Sequence, residues 1–216
     1  MQVQRSPKGP GRPKDPEKRA AILDAAKRLF PLRGFDGVSM DAIAAEAGVS
    51  KLTVYSHFSD KDTLFAETVK AKCEEQLPES VFRAEPGRGP MREQLRAIAT
   101  GFHSLILSPE SVSFYRMMAA QGEANGKLAE LFYAAGPRRI LDAFESFLSA
   151  ANRAGSLEVP DPRRAAGHFF CLIKGEAHMR QLIGCPLCGS ECEGPEHIES
   201  VLELFLRAYS PREAAR

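Results

Sequence analysis

Residues 37–65, GVSMDAIAAEAGVSKLTVYSHFSDKDTLF, predict two short helices joined by a glycine turn and followed by the start of a third. That order is a helix-turn-helix, the motif that sets its second helix into a DNA major groove. Ser39 stands where an N-cap belongs, and Met40, Ile43, Ala44 and Ala47 then recur at helical spacing. Gly48 breaks the run. Ser50 is a second N-cap, opening a helix in which Leu52, Val54 and Phe58 are expected to pack inward, with Lys51, Thr53, Tyr55 and His57 among the outward polar groups. Asp60 is positioned to cap a third helix, with Lys61 in its first turn.

Working outward, Asp15 with Pro16 at the first helical position starts an earlier helix, whose apolar face is Ile22, Ala25, Ala26, Leu29 and Phe30. Pro31 is expected to disturb its end and Gly34 to close it. The helix from Lys61 runs through Leu64, Phe65 and Val69 to about Leu77, a mechanical link to the C-terminal helices. Residues 78–90, rich in Pro, Gly and charge, read as a loop. Helical patterns then cover 91–107, 110–121, 125–153 with a break at Gly136-Pro137, 162–183 and 196–209. Strand alternation and internal repeats are absent, so the fold class is all-α: an N-terminal three-helix helix-turn-helix domain plus a larger C-terminal helical domain.

The last two helices are apolar over much of their circumference. One carries Phe169, Phe170, Leu172, Ile173, Ala177, Met179, Leu182 and Ile183, the other Ile198, Val201, Leu202, Leu204, Phe205, Leu206 and Tyr209. Helices of that kind are buried on both sides, either at the centre of a core or in a four-helix interface between two copies of the chain.

A chain of 216 residues with 44% hydrophobic content can bury a core without metal or disulfide staples. Net charge is only +1, but residues 1–14 carry Arg5, Lys8, Arg12 and Lys14 and no acid. This Pro/Gly-rich basic arm is either a phosphate-seeking segment or a solubilising tail. Its Gly-Arg12-Pro core is similar to an AT-hook, in which an arginine enters a narrow A·T minor groove. No apolar run reaches ~18 residues and the N-terminus lacks a signal-peptide core, so no membrane span is expected and the compartment is read as cytoplasmic. Five cysteines fit that compartment as thiols, Cys73 and Cys171 as small buried hydrophobes.

The run AGVSKLTVYSHFSDKDTLF, with Tyr55, His57, Phe58 and Lys61, resembles the recognition helix and following helix of the TetR family of transcriptional regulators. From Phe114-Tyr115-Arg116 to Ala134-Ala-Gly-Pro-Arg-Arg139 the chain also looks like the AefR-like branch of that family. The resemblance implies four segments: the arm at 1–14, a DNA-binding domain at 15–77, an effector-binding and dimerisation domain at 78–210 and a flexible tail at 211–216. It implies three partners: a double-stranded DNA operator, a small-molecule effector, and a second copy joined through the two C-terminal helices. Lys51, Leu52, Thr53 and Ser56 are then assigned to the groove, and Ser39, Met40, Tyr55, His57 and Lys61 to phosphates, the first pair partly through backbone amides. Arg12 is the minor-groove candidate.

For the effector, the candidate lining residues are Phe102, His103, Leu105, Phe114, Tyr115, Met117, Met118, Tyr133, Phe170, Lys174 and His178, which suit an apolar or aromatic ligand. Lys174 and His178, at i and i+4, are expected to share one helix face, either as an anion anchor or as a solvated strip. The loop from Cys185 through Cys188 to Cys192, with His197 five residues on, departs from the family. Its spacing leaves three readings open: plain thiols, a redox switch, or a Cys3His metal site. No cofactor is called for. The chain lacks G-x-S-x-G, H-E-x-x-H, P-loop and dinucleotide glycine patterns, and with the resemblance this argues against an enzyme.

Overall fold

Each helix of the N-terminal third begins at a side chain that satisfies an otherwise orphaned backbone amide. In the computed structural model, which describes residues 15–83, 89–185 and 194–211, Asp15 caps α1 (Pro16–Arg33) by accepting from the amides of Glu17 at 3.0 Å and Lys18 at 3.4 Å. Ser39 caps α2 (Met40–Glu46) through the Ala42 amide, and Ser50 caps α3 (Lys51–His57) through the Thr53 amide. Asp60 caps α4 (Lys61–Gln76), accepting from Thr63 at 2.7 Å, and that bond holds its carboxyl below the usual range. These are the four caps expected from sequence. Gly48 makes the turn between α2 and α3 at φ +66°, a left-handed conformation that side chains resist. Pro31 does not end α1. The helix runs past it to Arg33, because a proline this close to the terminus forfeits a single backbone bond while Leu29 and Phe30 stay buried beside it.

The remaining helices are α5 (Met91–Leu107), α6 (Pro109–Gln121), α7 (Gly126–Tyr133), α8 (Arg139–Arg153), α9 (Pro162–Leu182) and α10 (Pro195–Tyr209). There is no strand among the described residues. The segment expected to be a plain loop after α4 contains a short 3₁₀ turn, Glu79–Phe82, anchored by Phe82 against Phe144. The expected break at Gly136-Pro137 is a single π turn, Ala134–Arg138, between α7 and α8. Pro137 has no N–H to donate, and widening one turn absorbs that loss without stopping the helical path.

Two apolar cores organise the bundle. One packs α5, α8, α9 and α10 around Phe144, whose ring centre lies 4.7 Å from that of Phe169 and 5.1 Å from that of Phe170. The other packs α1 to α4 around Phe30 and Phe65, but it is not closed by those helices: Phe114 and Met117 of α6 and Leu128 of α7 belong to it. Phe65 meets Phe30 edge-on at 5.2 Å and lies 6.1 Å from Phe114. The expected division at residue 77 is therefore a division of chain, and not of packing. Polar contacts repeat the point. Gln121 of α6 accepts from the Phe35 amide at 3.2 Å, and Lys127 of α7 pairs with Asp62 of α4.

Helix α9 is broken inside. Gly175 adopts φ +53° and ψ −165°, a region reserved almost entirely for glycine, which splits the helix after Lys174. His197 of α10 donates from Nε2 to the Leu172 carbonyl at 2.9 Å, holding the last turn before the break. Replacing Gly175 by alanine is expected to cost about 1–3 kcal/mol of stability, since the side chain opposes the positive φ. Urea unfolding of the variant measures it, and unchanged stability would mean that the break is not required.

A candidate DNA-binding face and ligand cavity

The outer surface of α3 carries Lys51, Leu52, Tyr55 and Ser56, all exposed. Leu52 is 82% exposed and does not pack inward as the periodicity suggested, because seven residues give α3 only two turns and Val54 and Phe58 already fill its inner side. Leu52 thus stands with the groove-facing candidates. Thr53 and His57 are half-buried. The Ser50 and Thr53 hydroxyls share a hydrogen bond at 2.8 Å, and Ser56 donates to the Thr53 carbonyl at 2.7 Å.

Three assigned positions carry local structural duties as well. Lys51 pairs with Asp41 of α2 at 2.9 Å, both side chains well exposed, so the ammonium is exchangeable with a phosphate. Lys61 donates to the Phe35 carbonyl at 3.0 Å and sits 4.3 Å from the centre of the Phe35 ring, clamping the α1–α2 connection to α4. Met40 is corrected: its side chain is buried in the N-terminal core, leaving only backbone groups at the start of α2 for a phosphate. Ser39 is exposed, its hydroxyl used in the cap. Arg12 lies outside the described residues.

Between the two cores lies a cavity of about 210 Å³. Phe102, Leu105, Phe114, Tyr115, Tyr133, Phe170 and Lys174 line it, as expected. Four candidates do not. Met117 is buried in the N-terminal core, and Met118 faces a separate, shallower groove beside Arg116. His103 is absent from the lining, and His178 lies behind it, its ring edge-on to Tyr115 at 5.3 Å. The break at Gly175 is the reason that Lys174 and His178 part company: an i, i+4 relation holds only along an unbroken helix.

Sequence reading missed the wall that α4 provides. Val69, Lys72 and Cys73 all face the cavity, on the same helix that begins at Lys61 under α3. The opposite wall includes Phe132, Pro137, Ile140 and Gly167. The available signal was the apolar and small residues of α4 beyond Val69, which the linker reading passed over.

The electrostatics of the lining are uneven. Lys72 is buried but paired, with Glu110 at 3.2 Å and Glu75 at 3.6 Å. Burial pushes the Tyr115 phenol up to about 12 and the Cys73 thiol up to about 11, so both stay protonated at neutral pH. His178 is held below its ordinary value first by burial and then by the charges of Lys174 and His103.

Of the cysteines, Cys171 is exposed and lines the cavity, contrary to the buried role expected of it; Cys73 is half-buried. Cys185 is exposed at the end of α9, while Cys188 and Cys192 lie outside the described residues. His197, the candidate fourth ligand of a metal site, uses its Nε2 on the Leu172 carbonyl. No metal-holding group of His, Cys, Asp and Glu occurs among the described residues, and no helix among them is long and apolar enough to cross a membrane.

Residues 22–68 match the N-terminal family described as bacterial regulatory proteins of the tetR family, and residues 93–211 match the AefR-like transcriptional repressor C-terminal domain. The chain is 28% identical over 207 residues to the HTH-type transcriptional regulator BetI of Agrobacterium fabrum (strain C58 / ATCC 33970), covering 94% of each. It is 32% identical over 120 residues to the uncharacterized HTH-type regulator YdeS of Bacillus subtilis (strain 168), of which the match spans 57%. A TetR-family regulator of known structure from Mesorhizobium loti MAFF303099 superposes with a TM-score of 0.75 at 28% identity, covering 93% of this chain and 100% of that one. The flavonoid-responsive regulator FrrA does so with 0.70 at 34% identity, covering 92% and 100%. With the helix-turn-helix and the cavity-bearing bundle both matched, the chain belongs to the TetR family of DNA-binding transcriptional regulators, with an AefR-like C-terminal domain, and is not an enzyme.

Proposed function

We propose that this regulator acts in the cytoplasm as a homodimer on a near-palindromic operator, and that it is a repressor released when a small apolar or aromatic effector enters the cavity. The observation that carries the reading is the double role of α4. At its C-terminal half it forms a wall of the cavity through Val69, Lys72 and Cys73; at its start Lys61 clamps the connection leading to the helix-turn-helix. A ligand that prefers a shifted α4 would move the recognition helix with it. Tenfold preference for the released state supplies about 1.4 kcal/mol of bias.

The dimer reading is supported by the outer faces of α9 and α10. Their inner faces fill the core, while Leu172, Met179 at 60%, Ile183 at 72% and Leu204 at 54% remain exposed. Leu204 lies two turns from His197, on the stripe of α10 that faces α9, so the apolar groups of the two helices adjoin. Two-fold pairing there would set two recognition helices about 34 Å apart, one DNA turn. That the related FrrA is flavonoid-responsive supports an aromatic effector for a cavity walled by phenylalanines.

The test is selection of binding sites from a random DNA pool, with titration of the best site at two salt concentrations. A near-palindrome with half-sites one turn apart is expected; weak, sequence-blind binding would overturn the reading. On that site, Tyr55→Ala is expected to weaken binding to all sequences about equally, whereas Lys51→Ala shifts base preference at one position by roughly 1–3 kcal/mol. Equal losses for Lys51→Ala on specific and nonspecific DNA would remove Lys51 from the base-reading set.

A further inference from the structure

We propose that the cavity takes an acidic aromatic compound, its carboxylate or phenolate seated on Lys174 and its rings among Phe102, Phe114, Phe132 and Phe170. The inference rests on the effector reading above and specifies the ligand's charge.

The charges of the lining carry it. Lysines contribute two cations, and among the described residues no aspartate or glutamate lines the cavity. Lys72 is already neutralised by Glu110 and Glu75. Lys174 is half-buried, and among the described residues it has neither a carboxylate partner nor a hydrogen bond. A cation that has lost part of its hydration without gaining a counter-charge favours an arriving anion. The effect of its charge already reaches the edge of the lining, where it helps to hold His178 neutral.

The neutral polar groups point the same way. Tyr115, kept protonated by burial, is a donor, while the Ser111 hydroxyl is engaged with that of Ser108 at 2.9 Å. A donor-rich lining recognises an acceptor. Size sets the rest: a cavity of roughly 150 Å³ accommodates benzene, so about 210 Å³ admits a body close to two fused rings.

The experiment is calorimetric titration of the full-length protein with 2-naphthoate and with 2-naphthamide, which match in shape and differ in charge. The acid is expected to bind at least tenfold more tightly. Lys174→Met should abolish that preference while leaving the amide within twofold, and Lys174→Arg should restore it. Gly167 lines the cavity with nothing within 4 Å of the position a Cβ would take, so Gly167→Phe is expected to fill the space and remove both affinities. Equal binding of acid and amide, unmoved by Lys174→Met, overturns the anion assignment and leaves an apolar effector cavity standing. Acid binding that survives Gly167→Phe places the ligand elsewhere and overturns the assignment too. Failure of both compounds to bind at millimolar concentration overturns it together with the effector reading for ligands of this size.

Discussion

Changing Leu172 and Leu204 together to glutamate is expected to give a folded monomer whose affinity for a palindromic operator is lower by roughly 10²–10⁴-fold. Both side chains are already exposed in the single chain, so the charges enter water and the core built on Phe144, Phe169 and Phe205 is untouched. In a two-fold dimer the pair occurs twice. Burying a leucine is worth about 1.5–3 kcal/mol, and four such losses, with carboxylates facing one another in their place, exceed what a standard interface can spare. The loss of DNA affinity is a matter of linkage: with two half-sites bound by one dimer, the second contact is made at an effective concentration near millimolar, and a monomer loses that advantage. Sedimentation equilibrium and an operator titration on the same sample measure the two effects. A variant that remains dimeric would move the interface away from α9 and α10; a monomer of undiminished affinity would show that the half-sites are bound independently.

The local signals were legible because they depend on neighbouring residues alone. Asp15, Ser39, Ser50 and Asp60 cap the helices that begin beside them, and Gly48 turns where a positive φ is needed. The readings that failed required knowing which helix meets which. On α6, Phe114, Tyr115, Met117 and Met118 are close in sequence, yet Phe114 touches both the cavity and the N-terminal core, Met117 only the core, and Met118 the margin of that core and a separate groove. Composition cannot separate three destinations on one helix surrounded by partners. Gly175 misled for a different reason. Glycine inside a helix costs only about 1 kcal/mol relative to alanine, so the pattern FFCLIKGEAHM reads as continuous, and the break that turns His178 away from the cavity is decided by tertiary contacts such as that of His197. Leu52 was misassigned by periodicity in a helix too short for periodicity to mean much.

Replacing Gly101 by alanine is expected to destabilise the protein by about 1–3 kcal/mol and to weaken operator binding in the absence of any effector. Gly101 lies in α5 where the end of α4 passes: a Cβ there would stand 2.7 Å from the Gln76 carbonyl oxygen and 2.9 Å from Leu77 Cδ1. The leucine tip can rotate away, but the carbonyl belongs to backbone, and relieving that contact means displacing the tail of α4. Farther back along α4, Val69 Cγ1 and Cys73 Sγ stand 3.0 Å and 3.3 Å from the position a Cβ would take at Gly136 of the π turn. Two glycines therefore let α4 seat closely against α5 and against the π turn, most tightly at Gly101. Helix propensity acts in the other direction, by about 1 kcal/mol in favour of alanine, and the 2.7 Å contact with backbone outweighs it. Gly167 supplies the reference, since alanine there meets nothing within 4 Å and should stabilise by up to about 1 kcal/mol while leaving DNA affinity unchanged. Urea unfolding and fluorescence anisotropy on both variants decide the matter. If Gly101→Ala is as stable as Gly167→Ala and binds operator like the unaltered protein, α4 gives way locally at its tail and does not transmit displacement to Lys61. If it loses stability and operator affinity together, α4 behaves as a rigid lever, and the same displacement is the one an effector against Val69 and Cys73 has to produce.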